Sequence, residues 1–109
     1  MPELFAAIPT PVRHDGRVDE PMLDRLVEFV IDAGVNGVCI GGATSEYPHF
    51  EVADRKAIIR RVASRLPKKA TLLTVIGGPS IRATLELGVA AMHAGSRAVL
   101  LPMPGFFPY

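Results

Sequence analysis

Twice in this sequence a helix-like stretch ends on Ala-Gly and passes within a few residues into an unbroken apolar run. Ala33-Gly34-Val35-Asn36-Gly37 leads into Val38-Cys39-Ile40, and Ala94-Gly95-Ser96-Arg97 leads into Ala98-Val99-Leu100-Leu101. A strand without polar alternation is one covered on both faces, as in a parallel sheet. Two further apolar or β-branched runs, residues 4–8 and 71–76, bring the count of expected strands to four. Their starts lie roughly thirty residues apart, the spacing of a strand, a crossover helix and a return.

The intervening segments carry the signals of those helices. Over residues 19–33, Asp19 is placed to cap and Pro21 falls in the first turn, where its missing N–H costs little. Met22, Leu26 and Val30 form one apolar row, with Leu23, Val27 and Ile31 beside it, and Gly34 closes the helix. A second helix is expected over 51–66, with Ile58, Val62 and Leu66 on one face, stopping at Pro67. A third begins at Ser80 or Thr84 and runs to Ala94, with Leu85, Val89 and Met92 spaced for one face. The order β-α-β-α-β-α-β predicts an α/β fold of right-handed parallel units. A (β/α)8 TIM barrel accounts for the repeated helix-to-strand joint somewhat better than an open flavodoxin-like sheet. Periodicity alone does not separate the two.

Composition narrows the classes. The 109 residues are enough for one domain, and 49% of them are hydrophobic, rich for so short a chain and a sign that some apolar surface expects a partner. A net charge of +1 gives no reason to expect a nucleic-acid or membrane partner, and no apolar run approaches the ~18 residues of a membrane span. Residues 1–5 lack the basic and apolar regions of a signal peptide. The single cysteine, Cys39, allows no internal disulfide and fits a reducing cytoplasm; in its strand it is expected to be core. His14, His49 and His93 fall in separate elements without ligand spacing, so neither a metal nor another cofactor is expected. The basic stretch Arg55, Lys56, Arg60, Arg61, Arg65, Lys68 and Lys69 reads as the solvated face of an outer helix.

In parallel α/β folds ligands bind at the C-terminal ends of the strands. Of the loops there, Gly41-Gly42-Ala43-Thr44-Ser45-Glu46 combines glycines, hydroxyls and a carboxylate directly after a strand. Successive N–H groups and a threonine hydroxyl are donors suited to a small carboxylate or phosphate. Many such turns are rich in the same residues, so the loop alone is weak evidence.

An ordered set of landmarks adds to it. Ile8-Pro9-Thr10-Pro11, Asp15-Gly16-Arg17-Val18-Asp19, Gly34-Val35-Asn36-Gly37, Gly42-Ala43-Thr44-Ser45-Glu46, Asp54-Arg55, Thr84 with Glu86, Gly95-Ser96-Arg97-Ala98-Val99 and Pro104-Gly105-Phe106-Phe107 follow one another along essentially the whole chain. In this order and spacing they resemble the N-terminal portion of the dihydrodipicolinate synthase / N-acetylneuraminate lyase family, the pyruvate-type class I aldolases. The resemblance implies an incomplete barrel over residues 1–109, about its first four strands and three helices. It implies a full-length lyase that acts on pyruvate or another 2-oxo acid through a lysine Schiff base, needs no cofactor and assembles as a homo-oligomer. The substrate carboxylate would be held at Ala43 and Thr44, where the family has two threonines; Ala43 retains only its N–H. The family tyrosine of Pro-Tyr-Tyr falls on Gly105 and Phe106, neither of which has a hydroxyl, and Tyr109 would replace it only with a different backbone course. Phe106, Phe107 and Tyr109 would form an aromatic lip or await cover. Glu46 is expected to serve the shape of the loop. None of Lys56, Lys68 and Lys69 aligns with the Schiff-base position, so these 109 residues are expected to be inactive alone. The rival expectation is a non-catalytic half-barrel that self-associates and binds a small carboxylate.

Overall fold

The computed structural model describes residues 2–102. Four parallel strands, β1 (Phe5–Ala7), β2 (Gly37–Ile40), β3 (Thr71–Val75) and β4 (Ala98–Leu100), alternate with helices α1 (Glu20–Asp32), α2 (Val52–Arg65) and α3 (Ile81–Ala94). The strand order is β1-β2-β3-β4, each pairing only with its neighbours in sequence. A sheet that always advances in one direction, with right-handed crossovers, carries all its helices on one face. An open doubly wound sheet reverses order at a switch point. The order seen here is that of a barrel segment, and it excludes the flavodoxin-like alternative for these strands.

Local signals at the helix ends act as expected. The Asp19 Oδ1 accepts from the Met22 N–H at 3.1 Å, and Ser80, not Thr84, caps α3 by accepting from the Ala83 N–H at 3.0 Å. Gly95 ends α3 at φ 95°, a left-handed conformation that a β-carbon would strain. Asp15-Gly16 turns a short hairpin closed by the Val12–Val18 bridge. At the start of β2, Asn36 ties three strands together. Its side chain accepts from Leu4 N–H at 2.7 Å, its N–H donates to Leu4 O, and its carbonyl accepts from Thr71 N–H at 3.0 Å.

The core lies between sheet and helices. Register places Val38 and Leu72 side by side on the helix face, followed by Ile40 and Thr74. These meet Leu23 and Val27 of α1, Ile58, Ile59 and Val62 of α2, and Leu87 and Ala91 of α3. The Thr74 hydroxyl is fully buried and satisfied by the Ser96 hydroxyl at 3.0 Å, which also reaches the Leu72 and Ala98 carbonyls. On the opposite face Ala7, Ala98 and Leu100 are exposed, and Phe5, Cys39, Leu73 and Val75 are half-buried. This is the face that a closed barrel turns inward.

The structure selects the buried row of each helix and overturns two expectations, on β4 and on Cys39. On α3 the row Leu85, Val89, Met92 points outward, Leu85 being 64% exposed, whereas Ala83, Leu87 and Ala91 face the sheet. Small residues there let the helix approach closely: a β-carbon at Gly88 would already touch the Ile76 side chain at 3.5 Å. On α1 the Leu23 and Val27 row is the buried one, while Met22 is exposed. Strand β4 is exposed throughout, because it is an edge here. Cys39 is half-buried rather than core, and burial pushes its thiol pKa up.

The basic stretch also divides. Lys68 and Lys69 are exposed, but Arg55 is buried, Lys56 pairs with Glu86 of α3 at 3.3 Å, and Arg61 joins α2 to α1. The Arg61 guanidinium grips Asp24 with two bonds, Nε–Oδ1 at 2.9 Å and Nη2–Oδ2 at 2.7 Å, and meets Glu20 at 2.7 Å. Arg65 reaches the same Asp24 oxygen at 3.1 Å.

Two predictions follow from this packing. Leu87→Ala removes a fully buried side chain and is expected to destabilise the protein by about 2–5 kcal/mol in urea unfolding. The hydrogen bond from Arg61 lowers the Asp24 pKa; desolvation opposes it, and the charges of Arg61 and Arg65 add to the lowering. A depressed carboxylate contributes stability that is complete above its ordinary value of 3.8 and lost as pH falls through the folded value. Asp24→Asn should therefore lower the melting temperature at neutral pH and show a shallower further loss in acid than the wild type.

Candidate functional site

The strand C-termini meet beneath the loop that follows β2. Gly41 carries φ 84°, and a β-carbon there would lie 2.6 Å from the Val75 carbonyl, so glycine is needed both for the turn and for the approach to β3. The loop then folds on itself. The Ser45 N–H donates to Gly42 O at 3.1 Å and the Glu46 N–H to Ala43 O at 3.0 Å. Glu46 holds a left-handed φ of 57°, and a short turn of 3-10 helix, Tyr47–His49, leads towards α2. Ala43 and Thr44 stand at the exposed tip. Among the described residues their N–H groups and the Thr44 hydroxyl have no hydrogen-bond acceptor or donor.

Two side chains fix this loop from below. The Ser45 hydroxyl donates to the Ile8 carbonyl at 2.6 Å and accepts from the Gly41 N–H at 3.2 Å, which ties the loop to the end of β1. Arg55 ties it to the end of β3: Nη1 donates to Gly77 O, and Nη2 to Val75 O at 3.2 Å and Gly41 O at 3.5 Å. The Tyr47 ring lies over the guanidinium at 5.0 Å. Burial pulls the Arg55 pKa below its ordinary value, Tyr47 opposes that shift, and an arginine stays protonated regardless. Among the described residues no carboxylate lies within ion-pair distance of it.

Thr10, Ser45, Tyr47, Phe50, Arg55 and Thr74 surround a cavity of about 20 Å³ under the loop. That is room for one water-sized group and too little for a substrate. A wider groove of about 790 Å³ runs between the 13–18 turn, the start of α1 and the face of α2 from Asp54 to Ser64. Among the described residues no group of three or more His, Cys, Asp and Glu is placed to hold a metal, and no helix is long and apolar enough to cross a membrane.

The sequence singled out Ala43 and Thr44, and both stand where expected, at the end of β2. Gly105, Phe106, Phe107 and Tyr109 lie outside the described residues. Ser45 and Arg55 escaped notice as functional residues. For Arg55 a signal existed: it shares the helical row of Ile58, Ile59 and Val62, at intervals of three, four and seven, and a charge on an apolar row needs buried partners.

Sequentially ordered parallel strands, helices on one face and a structured loop at the strand C-termini define a partial barrel of the enzyme-bearing kind. The model of the dihydrodipicolinate synthetase family matches residues 1–108, and the chain belongs to that family. N-acetylneuraminate lyase of Salmonella paratyphi B is 33% identical over 106 residues, covering 97% of this chain and 36% of the relative. The solved structure of Proteus mirabilis N-acetylneuraminate lyase superposes with TM-score 0.92 at 32% identity, over 100% of this chain and 37% of that one. A prophage protein of E. coli K12 from the same family, solved in complex with pyruvate, has TM-score 0.90 at 27% identity, over 98% of this chain and 36% of that one. The chain thus spans about a third of the length of the relatives it matches.

Ser45→Ala leaves the buried Ile8 carbonyl and Gly41 N–H without their partner. It is expected to destabilise the protein by about 1–3 kcal/mol, read from the midpoint of urea unfolding.

Proposed function

We propose that this segment belongs to a lyase that acts on pyruvate or another 2-oxo acid through a lysine imine, and that its part is to hold the substrate carboxylate. The observation that carries the reading is the loop tip. Among the described residues the N–H groups of Ala43 and Thr44 and the Thr44 hydroxyl have no partner, and they lie together on the exposed loop after β2. Donors of this kind make charge-assisted bonds to a small anion, roughly twice as strong as neutral ones. A fixed carboxylate aligns the adjacent carbonyl carbon for attack by an amine, and the imine then withdraws electrons from the neighbouring carbon so that a bond to an aldehyde can form or break. Ala43 replaces a threonine of the family pattern, so this loop offers one hydroxyl fewer.

The lysine would come from outside residues 1–109. Lys56 is on α2 and pairs with Glu86, and Lys68 and Lys69 precede β3, at the opposite end of the sheet from the loop. The pyruvate bound by the E. coli relative supports the substrate class. By resemblance to the family, the reading extends to a homo-oligomeric full-length enzyme that uses no cofactor.

Sodium borohydride added to the full-length protein with pyruvate should reduce the imine to a stable adduct on one lysine, located by peptide mass spectrometry. No adduct, or an adduct on Lys56, Lys68 or Lys69, overturns the reading. Thr44→Val should raise KM for pyruvate about tenfold, the effect of losing one hydrogen bond to a charged group.

The rival reading, a self-associating half-barrel that binds a small acid, draws on the exposed β4 edge and on Leu101, which is 70% exposed. It requires residues 1–109 to sediment as one discrete, stable dimer, and a polydisperse boundary in analytical ultracentrifugation excludes it.

A further inference from the structure

Arg55 is a buried cation held by carbonyl oxygens and one aromatic ring, with no carboxylate among the described residues to balance it. Its side chain comes from α2, passes through the core beside Ile58 and Ile59, and ends under the carboxylate loop. A buried charge without a counter-charge is costly unless hydrogen bonds offset its desolvation, as the three carbonyls do here.

We propose that Arg55 is the positioning residue of the carboxylate loop, an inference that rests on the reading of residues 43 and 44 as the carboxylate site. It acts in two linked ways. By gripping the Gly41, Val75 and Gly77 carbonyls it fixes the backbone from which residues 42–44 depart. A planar guanidinium with five donors can bridge three carbonyls, and an ammonium cannot match that geometry. Its unbalanced positive charge also lies beneath the loop that presents the N–H groups. That charge favours a negative group on the far side of the loop. Ser45 completes the support from the β1 side by holding the Gly41 N–H, so Gly41 is fixed at both its N–H and its carbonyl.

The roles of positioning and of general structural support differ in kinetics. The carboxylate is held equally in ground and transition states, so loss of that binding raises KM with little change in kcat. A purely structural role would lower the melting temperature and the active fraction, hence the apparent kcat, and leave KM alone.

The test uses the full-length protein with pyruvate, after the wild type has been shown to form the borohydride-trapped adduct. Arg55→Lys keeps the charge and loses the three-point grip, and it should raise the KM for pyruvate several-fold while kcat falls less than twofold. Arg55→Gln loses the charge as well and should raise KM about tenfold or more, the size of a lost charge-assisted interaction. If Arg55→Gln is not recovered folded, the Lys variant decides alone. A wild type that forms no adduct removes the carboxylate-site reading and this inference with it. A wild type that forms the adduct, alongside a folded Arg55→Lys protein with unchanged KM, overturns the positioning role and leaves the carboxylate site standing.

Discussion

Three of the four strand ends in this segment converge on two side chains. Arg55 bonds the carbonyls of Gly41, Val75 and Gly77, and the Ser45 hydroxyl bonds the carbonyl of Ile8 and the N–H of Gly41. Parallel strands finish with unpaired carbonyl groups aimed out of the sheet, and those groups need donors if no water reaches them. A guanidinium supplies several from one side chain. Where the strand ends are held this way, the loop above them starts from a fixed backbone. The cation that holds these carbonyls bonds the loop only at its first residue, Gly41.

The lower end of the sheet is organised differently. Asn36 links β1, β2 and β3 through its side chain and backbone, and Ser96 does the equivalent between β3 and β4. These contacts use neutral amides and hydroxyls, with an exposed Arg97–Glu3 pair at 3.5 Å beside them. A glycine-lined loop at one end and strand-tying contacts at the other match the division of a barrel into a functional and a stabilising face. On the outside, the Glu20, Asp24, Arg61 and Arg65 cluster joins α1 to α2, and Lys56 with Glu86 joins α2 to α3. Each successive helix is therefore tied to the one before it, as suits a structure that grows by adding one unit at its edge.

Much of the architecture was legible in the chain itself. Asp19, Pro21 and Gly34 bound the first helix, and Ser80 and Gly95 bound the third, because caps and left-handed glycines act through their own few neighbours. The loop of residues 41–46 was identifiable as a candidate site from its position after a strand and its residue types. The supporting pair was harder to see. Ser45 was one hydroxyl among several, and Arg55 was hidden in a run of basic residues whose other members are exposed or engaged in ion pairs on the helix surfaces.

The sequence by itself determined the number, order and parallel direction of the elements and the place of the loop, since these follow from local backbone chemistry and from hydrophobic period. Tertiary structure alone decided which row of α3 is buried. Leu85, Val89 and Met92 carry more apolar surface, yet Ala83, Leu87 and Ala91 face the sheet. Tertiary structure also decided that Arg55 points inward and that Arg61 meets Asp24, thirty-seven positions away in the chain. Side-chain periodicity gives a helix its faces, but which face is buried depends on the distance to the neighbouring layer and on what that layer offers as a partner.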